Sequence, residues 1–393
     1  MKLKTLRAVH IDIPPPQPKT PARRAPWPTK SPRAMPINFY PQYSRFPQEM
    51  PGHVGLSEVW VQAIAEDGTF GLGHCSFGQP VASYIDHVIA PLIEGQNCMA
   101  IEFMNDLVVR AGHRHGLAGI VSTALSGVDI ALWDLKGKLL GRPVYELLGG
   151  PVRDKVALYA TGDDLDWFQE LGFTRFKITN PAHYSQGDEG LHLIEEHVAK
   201  SRKFVGERAE LMINPVMSFN VEFTLRLAER LRPYNLRWLE EPLPPHDIEG
   251  HAELKRSITW IPLATGEDHR GRHAFAQLIE RRAIDIVQPD IGWSGGVSET
   301  MKVYTIAETA GIQMIPHGGG GTPWGQHVAM AAPESPIAEY WTGSPPGIPL
   351  EEVNRIPGMA TAKDGCVTPS DAPGFGMEIP AEWIRDWEYR GRN

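Results

Sequence analysis

Lys177, Asn214, the pair Glu240-Glu241, the run Glu267-Asp268-His269, Asp290, His317 and Glu339 follow one another along the second half of the chain. Each stands directly behind, or within, a short apolar run of β type. Polar side chains that end successive parallel strands can meet at one mouth of a barrel, so these residues carry the candidate chemistry. Asn214, Glu240 and Glu267 are all oxygen donors, with no cysteine among them. Hard oxygen ligands from separate strands suit one Mg²⁺ better than zinc or copper. Singly, a carboxylate at a strand end is more often a surface charge; three at equivalent depth favour a metal. Asp290 and His317 end adjacent runs, and a carboxylate beside an imidazole fixes its tautomer and raises its basicity, as a general base requires. His269, His273 and His327 are alternatives with weaker placement. A divalent cation and a His–Asp base together describe removal of a proton α to a carboxylate, a carbon acid too weak for histidine alone. The run Gly318–Gly321 behind His317 lets backbone approach a ligand closely. It would equally suit a phosphate nest, although neither an anchoring Lys nor Ser accompanies it.

Elements must bring these residues together. β-type runs fall at 155–160, 174–178, 210–213, 236–239, 261–265, 284–287, 312–315 and 337–341. Helical stretches at 187–205, 219–232, 272–282 and 296–310 lie between several of them. That alternation predicts an α/β fold, a modified (β/α)8 barrel, with no convincing helix directly after the eighth run. A doubly wound sheet would want a nucleotide fingerprint at its first turn, and neither GxGxxG nor GxxxxGKS/T occurs. Upstream, residues 1–13 read as a strand and 57–76 as a hairpin turning at Asp67-Gly68, with helical patterns over 81–141. Residues 14–52 are rich in Pro, Arg and aromatics; so many aromatics favour an ordered covering loop over a solvated tether. The tail from 345 is rich in Pro and Gly and is expected to pack back on the N-terminal part.

Composition limits the alternatives. The 393 residues are 42% apolar and 22% charged, enough for a sizeable core. Lys and Arg number 38 against 47 Asp and Glu, a formal charge of −9, which argues against a nucleic-acid face. Cys75, Cys98 and Cys366 are far apart and indicate neither a disulfide scaffold nor a zinc ribbon. The start lacks a signal-peptide core, and no uncharged run approaches the roughly 18 apolar residues of a membrane span. The expectation is a soluble, cytoplasmic protein without a membrane partner.

Long motifs carry a family resemblance over nearly the whole chain. ALSGVDIALWDLKGKLLGRPVYELLGG (124–150), WLEEPLPP (238–245), ATGEDH (264–269), IVQPDIGWSGG (286–296) and IPHGGGG (315–321) resemble the mandelate racemase subgroup of the enolase superfamily. The resemblance implies an α+β capping domain over 1–150, including a substrate-closing loop at 20–52. It further implies a barrel over 151–344 and a segment, 345–393, that returns to the cap. It implies Asn214, Glu240 and Glu267 as Mg²⁺ ligands, His317 as base, Asp290 as its partner and Glu339 as an acid toward the developing enediolate. Arg45, Arg33, His269 and Lys177 are the expected substrate contacts. The subgroup carries Asp where this chain has Asn214, and the loop has no histidine over 11–52. Racemases of the subgroup place a second lysine where Thr179 stands, so one face lacks an evident base. The implied activity is a lyase reaction, dehydration of a sugar acid to a 2-keto-3-deoxy acid. The alternatives are an acid-sugar racemase or epimerase, or a sugar-acid-binding barrel impaired by Asn214. A homo-oligomer, from dimer to octamer, is also implied.

Overall fold

The computed structural model describes residues 1–43, 58–353 and 356–389. Near the N-terminus β1 (Leu3–Ile11), β2 (Val59–Ala65) and β3 (Phe70–Cys75) form an antiparallel sheet. Leu6 lies opposite Ala63, and Val61 opposite Gly73. Gly68, at φ +88°, makes the expected hairpin turn. Helices α1 (Gly78–Tyr84), α2 (Ala90–Ile93), α3 (Ile101–Gly112), α4 (Ser122–Leu140) and α5 (Val144–Leu147) follow.

Most of α4 is buried on both faces, one side against β2 and β3 and the other against the barrel. The stretch Leu117–Leu140 is long and apolar enough to cross a membrane by length and composition, but 72% of its most apolar window is buried inside the molecule. Packing on two sides accounts for that apolarity. Asp129 and Asp134 survive within it because each is fully hydrogen-bonded. Asp129 takes Asn105 Nδ2 (2.7 Å), Ser298 N (2.9 Å) and Ser298 Oγ (2.6 Å). Asp134 takes Leu72 N (2.9 Å), Phe375 N (2.9 Å) and Lys138 Nζ (2.7 Å).

The larger sheet is parallel. Its elements run β4 (Val156–Thr161), α6 (Leu165–Glu170), β5 (Arg175–Thr179), α7 (Gly187–Val205), β6 (Glu210–Asn214), α8 (Val221–Leu231), β7 (Trp238–Glu240) and α9 (Ile248–Ser257). They continue with β8 (Leu263–Thr265), α10 (Gly271–Glu280), β9 (Ile286–Val287), α11 (Gly296–Thr309), β10 (Gln313–Met314), α12 (Pro323–Ala331) and β11 (Ile337–Tyr340). All eight expected β runs are strands. The short α6 and the helices α9 and α12 lie outside the four helical stretches read from sequence. β11 pairs back onto β4, Ile337 opposite Ala157. Backbone bonds from Met314 N to Glu334 O (3.1 Å) and Gly320 N to Glu339 O (2.7 Å) draw β10 and β11 together, so the sheet curls into a barrel. Among the described residues no α-helix follows β11. Instead β12 (Cys366–Val367) adds antiparallel to the start of β4, and β13 (Ile384–Asp386) joins the first sheet beside β1.

A plug fills the barrel: Tyr159, Met212, Trp238, Ala264, Ile286, Ile315 and Ile337 pack together. Side chains on a strand alternate with period two, so the residue two farther along faces the same interior. Those residues are Thr161, Asn214, Glu240, Gly266, Gln288, His317 and Glu339. The polar layer therefore sits directly on the apolar plug at the strands' C-terminal ends.

Candidate active site

Lys177 lies in this layer on β5, 2% exposed, with its ammonium 5.6 Å from the Tyr159 ring. It bonds to Glu240 Oε1 and to Glu339 Oε1, the latter at 2.8 Å. Burial alone would lower its pKa, but Glu240 and Glu339 hold it well above the ordinary lysine value. Lys177 is thus a fixed cation. Glu240 takes three further donors: Trp238 Nε1 (2.8 Å), Gln288 Nε2 (2.9 Å) and Asn214 Nδ2 (2.9 Å). Asn214 spends its oxygen on Val216 N at 2.7 Å, steadying a loop in which Val216 and Met217 adopt φ +50° and +58°.

On the opposite side, His317 Nδ1 lies 2.7 Å from Asp290 Oδ2. Its Nε2 faces Glu267 Oε1 at 3.4 Å and Glu339 Oε2 at 3.9 Å. Asp290 and His317 are bridged neighbours, so adjacent chains fix the pair. Burial would lower His317, yet Glu267, Glu339 and Asp290 raise it well above the usual imidazole value. Glu339 also accepts from Thr161 Oγ1 and from Gly318 N (3.0 Å). Against the cost of burial, Lys177 and His317 hold its carboxyl at about 2. The glycine run accordingly packs against β11: a Cβ on Gly320 would lie 2.8 Å from Glu339 O.

One step farther out, carboxylate oxygens of Glu241, Glu267 and Asp268 lie within 4.8 Å of one another. Two backbone irregularities put them there. Glu241 has φ +43° and leaves the strand alternation. Gly266 has φ +146°, and a Cβ there would come 2.7 Å from Gln288 N, so only glycine allows the turn that delivers Glu267. Burial, then Glu267, Asp268 and Glu240, push the Glu241 carboxyl well above its ordinary range. Burial raises Glu267 to about 7 despite the nearby His317 and Lys177. Arg270 pairs with Asp268 at 2.9 Å and His317 Nε2 stands 3.4 Å from Glu267, yet three acids remain gathered here, and such a set of hard oxygens fits a divalent cation.

Of the three oxygen groups expected to share a cation, Glu267 alone belongs to this cluster; the amide NH₂ of Asn214 and both oxygens of Glu240 are engaged with neighbouring groups. Glu241 and Asp268 were read from the sequence as strand-end acids without a ligand role. Their only signal was the doubling of acids at two strand ends. His269 does not reach the cluster: its ring is buried 5.9 Å from Phe275 and 6.3 Å from His251, and burial pushes it down to about 3. Arg33 lies over Trp27 at 5.2 Å, in the field of Asp163, at the β4 and β5 ends. Arg45 lies outside the described residues. The described part of its loop is packed: Trp27 is buried and donates N–H to Asp164 Oδ2 at 2.8 Å. Thr179 is bonded to Asp163 through N (3.0 Å) and Oγ1 (2.6 Å).

Comparison with known proteins agrees with this architecture. Residues 163–383 match the enolase C-terminal domain-like family, and 48–149 match the mandelate racemase / muconate lactonizing enzyme N-terminal domain. An L-rhamnonate dehydratase of Saccharopolyspora erythraea is 35% identical over 89% of this chain and 90% of its own length. A putative L-rhamnonate dehydratase of Caldivirga maquilingensis is 36% identical over 88% of this chain and 87% of its own. The solved structure of rhamnonate dehydratase from Gibberella zeae complexed with Mg superposes with a TM-score of 0.86 at 28% identity, covering 97% of this chain and 95% of that one. The chain belongs to the enolase superfamily, within its mandelate racemase / muconate lactonizing enzyme family.

Proposed function

We propose that the protein is a Mg²⁺-dependent sugar-acid dehydratase, a hydro-lyase with L-rhamnonate or a near relative as substrate. The observation that carries this is an asymmetric pair of faces. The Asp290–His317 dyad turns a free nitrogen toward Glu267 and Glu339. Among the described residues the opposite side offers only Lys177, held as an ammonium between two carboxylates. Two-base racemisation needs a base on each side, whereas elimination needs one base and an acid for the departing hydroxyl.

In this reading His317 Nε2 takes the proton from the carbon α to the substrate carboxylate, and the C–H electron pair moves into that carboxylate. The imidazolium, stabilised by Asp290, then gives a proton to the 3-hydroxyl on the same face. That C–O bond breaks, water leaves, and the enol product tautomerises to the 2-keto-3-deoxy acid. Glu339 stands beside the developing enediolate, and Lys177 holds Glu339 and Glu240 in place. The acids around Glu267 would hold the cation, which when bound supplies positive charge to the substrate carboxylate and beside His317. Beside the β6 and β7 ends, a cavity of about 560 Å³ lined by Phe39, Tyr40, His183, Met217 and Phe219 gives the polyol tail room.

A screen of acid sugars for 2-keto-acid product with Mg²⁺ tests the reading. L-Rhamnonate or a stereochemical neighbour is expected to turn over with loss of water. If the only product of every acid sugar is its C2 epimer, the dehydratase assignment is wrong and racemisation takes its place.

A further inference from the structure

We infer that Trp293 is a positioning residue for the base: its indole backs the His317 ring, and the turn behind β3 holds that indole in place. The inference rests on the dehydratase reading for the role of His317, and it deepens that reading. Trp293 belongs to the run Gly292–Gly296, GWSGG, to which the chemistry above gives no task. Its ring centroid lies 5.6 Å from that of His317, with the planes tilted by 36°. A single hydrogen bond to Asp290 fixes Nδ1 at 2.7 Å but lets the imidazole swing about that contact, since the outer torsion of a histidine is soft. A flat neighbour removes that freedom. Both supports spring from one turn. Asp290 O accepts from Trp293 N at 3.2 Å and from Ser294 N at 2.9 Å, so carboxylate and indole reach His317 from the same tight loop. Gly292 keeps the loop tight, because a Cβ there would lie 3.2 Å from Asp290 Oδ1.

Three groups hold the indole. Its Nε1 donates to Ser76 Oγ at 3.1 Å, a bond between residues 217 positions apart that ties the first sheet to the barrel mouth. The Phe77 ring lies 5.6 Å away at a tilt of 35°. Phe77 itself has φ +73°, a left-handed conformation rare for a bulky residue, so its surroundings and not local preference set the turn behind β3. The Arg270 guanidinium also stands 5.4 Å from the indole ring, and Asp268 Oδ1 anchors it at 2.9 Å. Both parts of the chain thus close on Trp293. Elimination requires two transfers at one nitrogen, first from the α-carbon and then to the 3-hydroxyl, so the plane of the His317 ring must stay fixed between them. A displacement of about 1 Å between reacting groups costs on the order of 100-fold in rate.

Steady-state dehydration by the full chain with Mg²⁺, together with exchange of the α-proton in deuterated solvent, tests the role. Trp293→Leu fills much of the space without a flat face. Its kcat and its exchange rate are expected to fall together by about 100-fold while KM stays within about 3-fold. Trp293→Phe restores a flat face without the N–H and should keep kcat within about 5-fold of native, the scale of one lost hydrogen bond. Ser76→Ala should match Trp293→Phe, and the two combined should be no slower than either alone, because both remove the same bond. Thermal melting reports whether each variant folds; if Trp293→Leu does not, the cycle of Ser76→Ala and Trp293→Phe decides. Equal kcat in Trp293→Leu and Trp293→Phe, a rise in KM with native kcat, or losses that add in the cycle would each overturn the role of Trp293 while leaving the dehydratase reading intact. A native chain that neither dehydrates any acid sugar nor exchanges its α-proton would overturn the reading, and the role of Trp293 with it.

Discussion

His317 illustrates how little chemistry a single side chain carries without its surroundings. One nitrogen is fixed by Asp290 at 2.7 Å, which selects the tautomer and leaves Nε2 as the only nitrogen able to meet substrate. Replacing it by Asn keeps the bond to Asp290 and removes the base. The expected loss in kcat is about 100- to 10,000-fold, the usual span of general acid–base catalysis. The α-proton should likewise cease to exchange with deuterated solvent. Exchange at the native rate in His317→Asn would place the base elsewhere. Lys177 makes the contrasting case. It has the type expected of a substrate contact, and two carboxylates surround its ammonium, so its surroundings keep it charged.

Elements decide where such residues end up. Alternation along each strand sets Trp238 into the plug and Glu240 into the polar layer, and that much follows from chain periodicity. The helix α4 is a different kind of element, since it must satisfy neighbours on both faces. Asp134 within it accepts from β3, from the tail at Phe375 and from Lys138. Asn at 134 would turn an amide NH₂ toward one of those donors and leave Lys138 without its charge partner. We expect a cost of about 2–4 kcal/mol in urea unfolding, the range for breaking a buried charged hydrogen-bond set. A change below the resolution of the measurement would mean that the tail and β3 are not held through this carboxylate.

The whole molecule is tied together where the two ends of the chain meet. β13 pairs with β1 while β12 pairs with β4, so the tail touches both sheets. His327 on α12 sits at this junction, accepting from Tyr145 N at 3.1 Å beside the Phe375 ring, with Asp371 as the nearby charge. Burial holds its pKa at about 3, against an ordinary value of 6.5. A depressed folded pKa means that the unfolded chain binds the proton first. The contribution is complete above pH 6.5 and is lost as pH falls toward 3, at about 1.4 kcal/mol per pH unit. Between pH 7 and pH 5 the native protein should therefore lose about 2 kcal/mol more than His327→Asn, which keeps an acceptor but does not titrate. Parallel losses in urea melts of the two proteins would show that His327 is solvated in the folded state.

Much of this architecture is written in local sequence. Strand positions, the hairpin turn at Asp67-Gly68 and the arrival of polar residues at strand ends all depend on periodicities of two and on turn formers, which act over a few residues. Asp290 and His317 were legible as a pair for the same reason: each closes a recognisable strand. Glu241 and Asp268 were not, because their direction depends on φ +43° at Glu241 and φ +146° at Gly266, values imposed by packing against neighbouring strands. Nor does periodicity reveal that Asn214 turns its NH₂ to Glu240, or that Lys177 is neutralised from two sides. Those are encounters between residues 26 to 162 positions apart in the chain, and only closure of the barrel brings them within hydrogen-bonding distance.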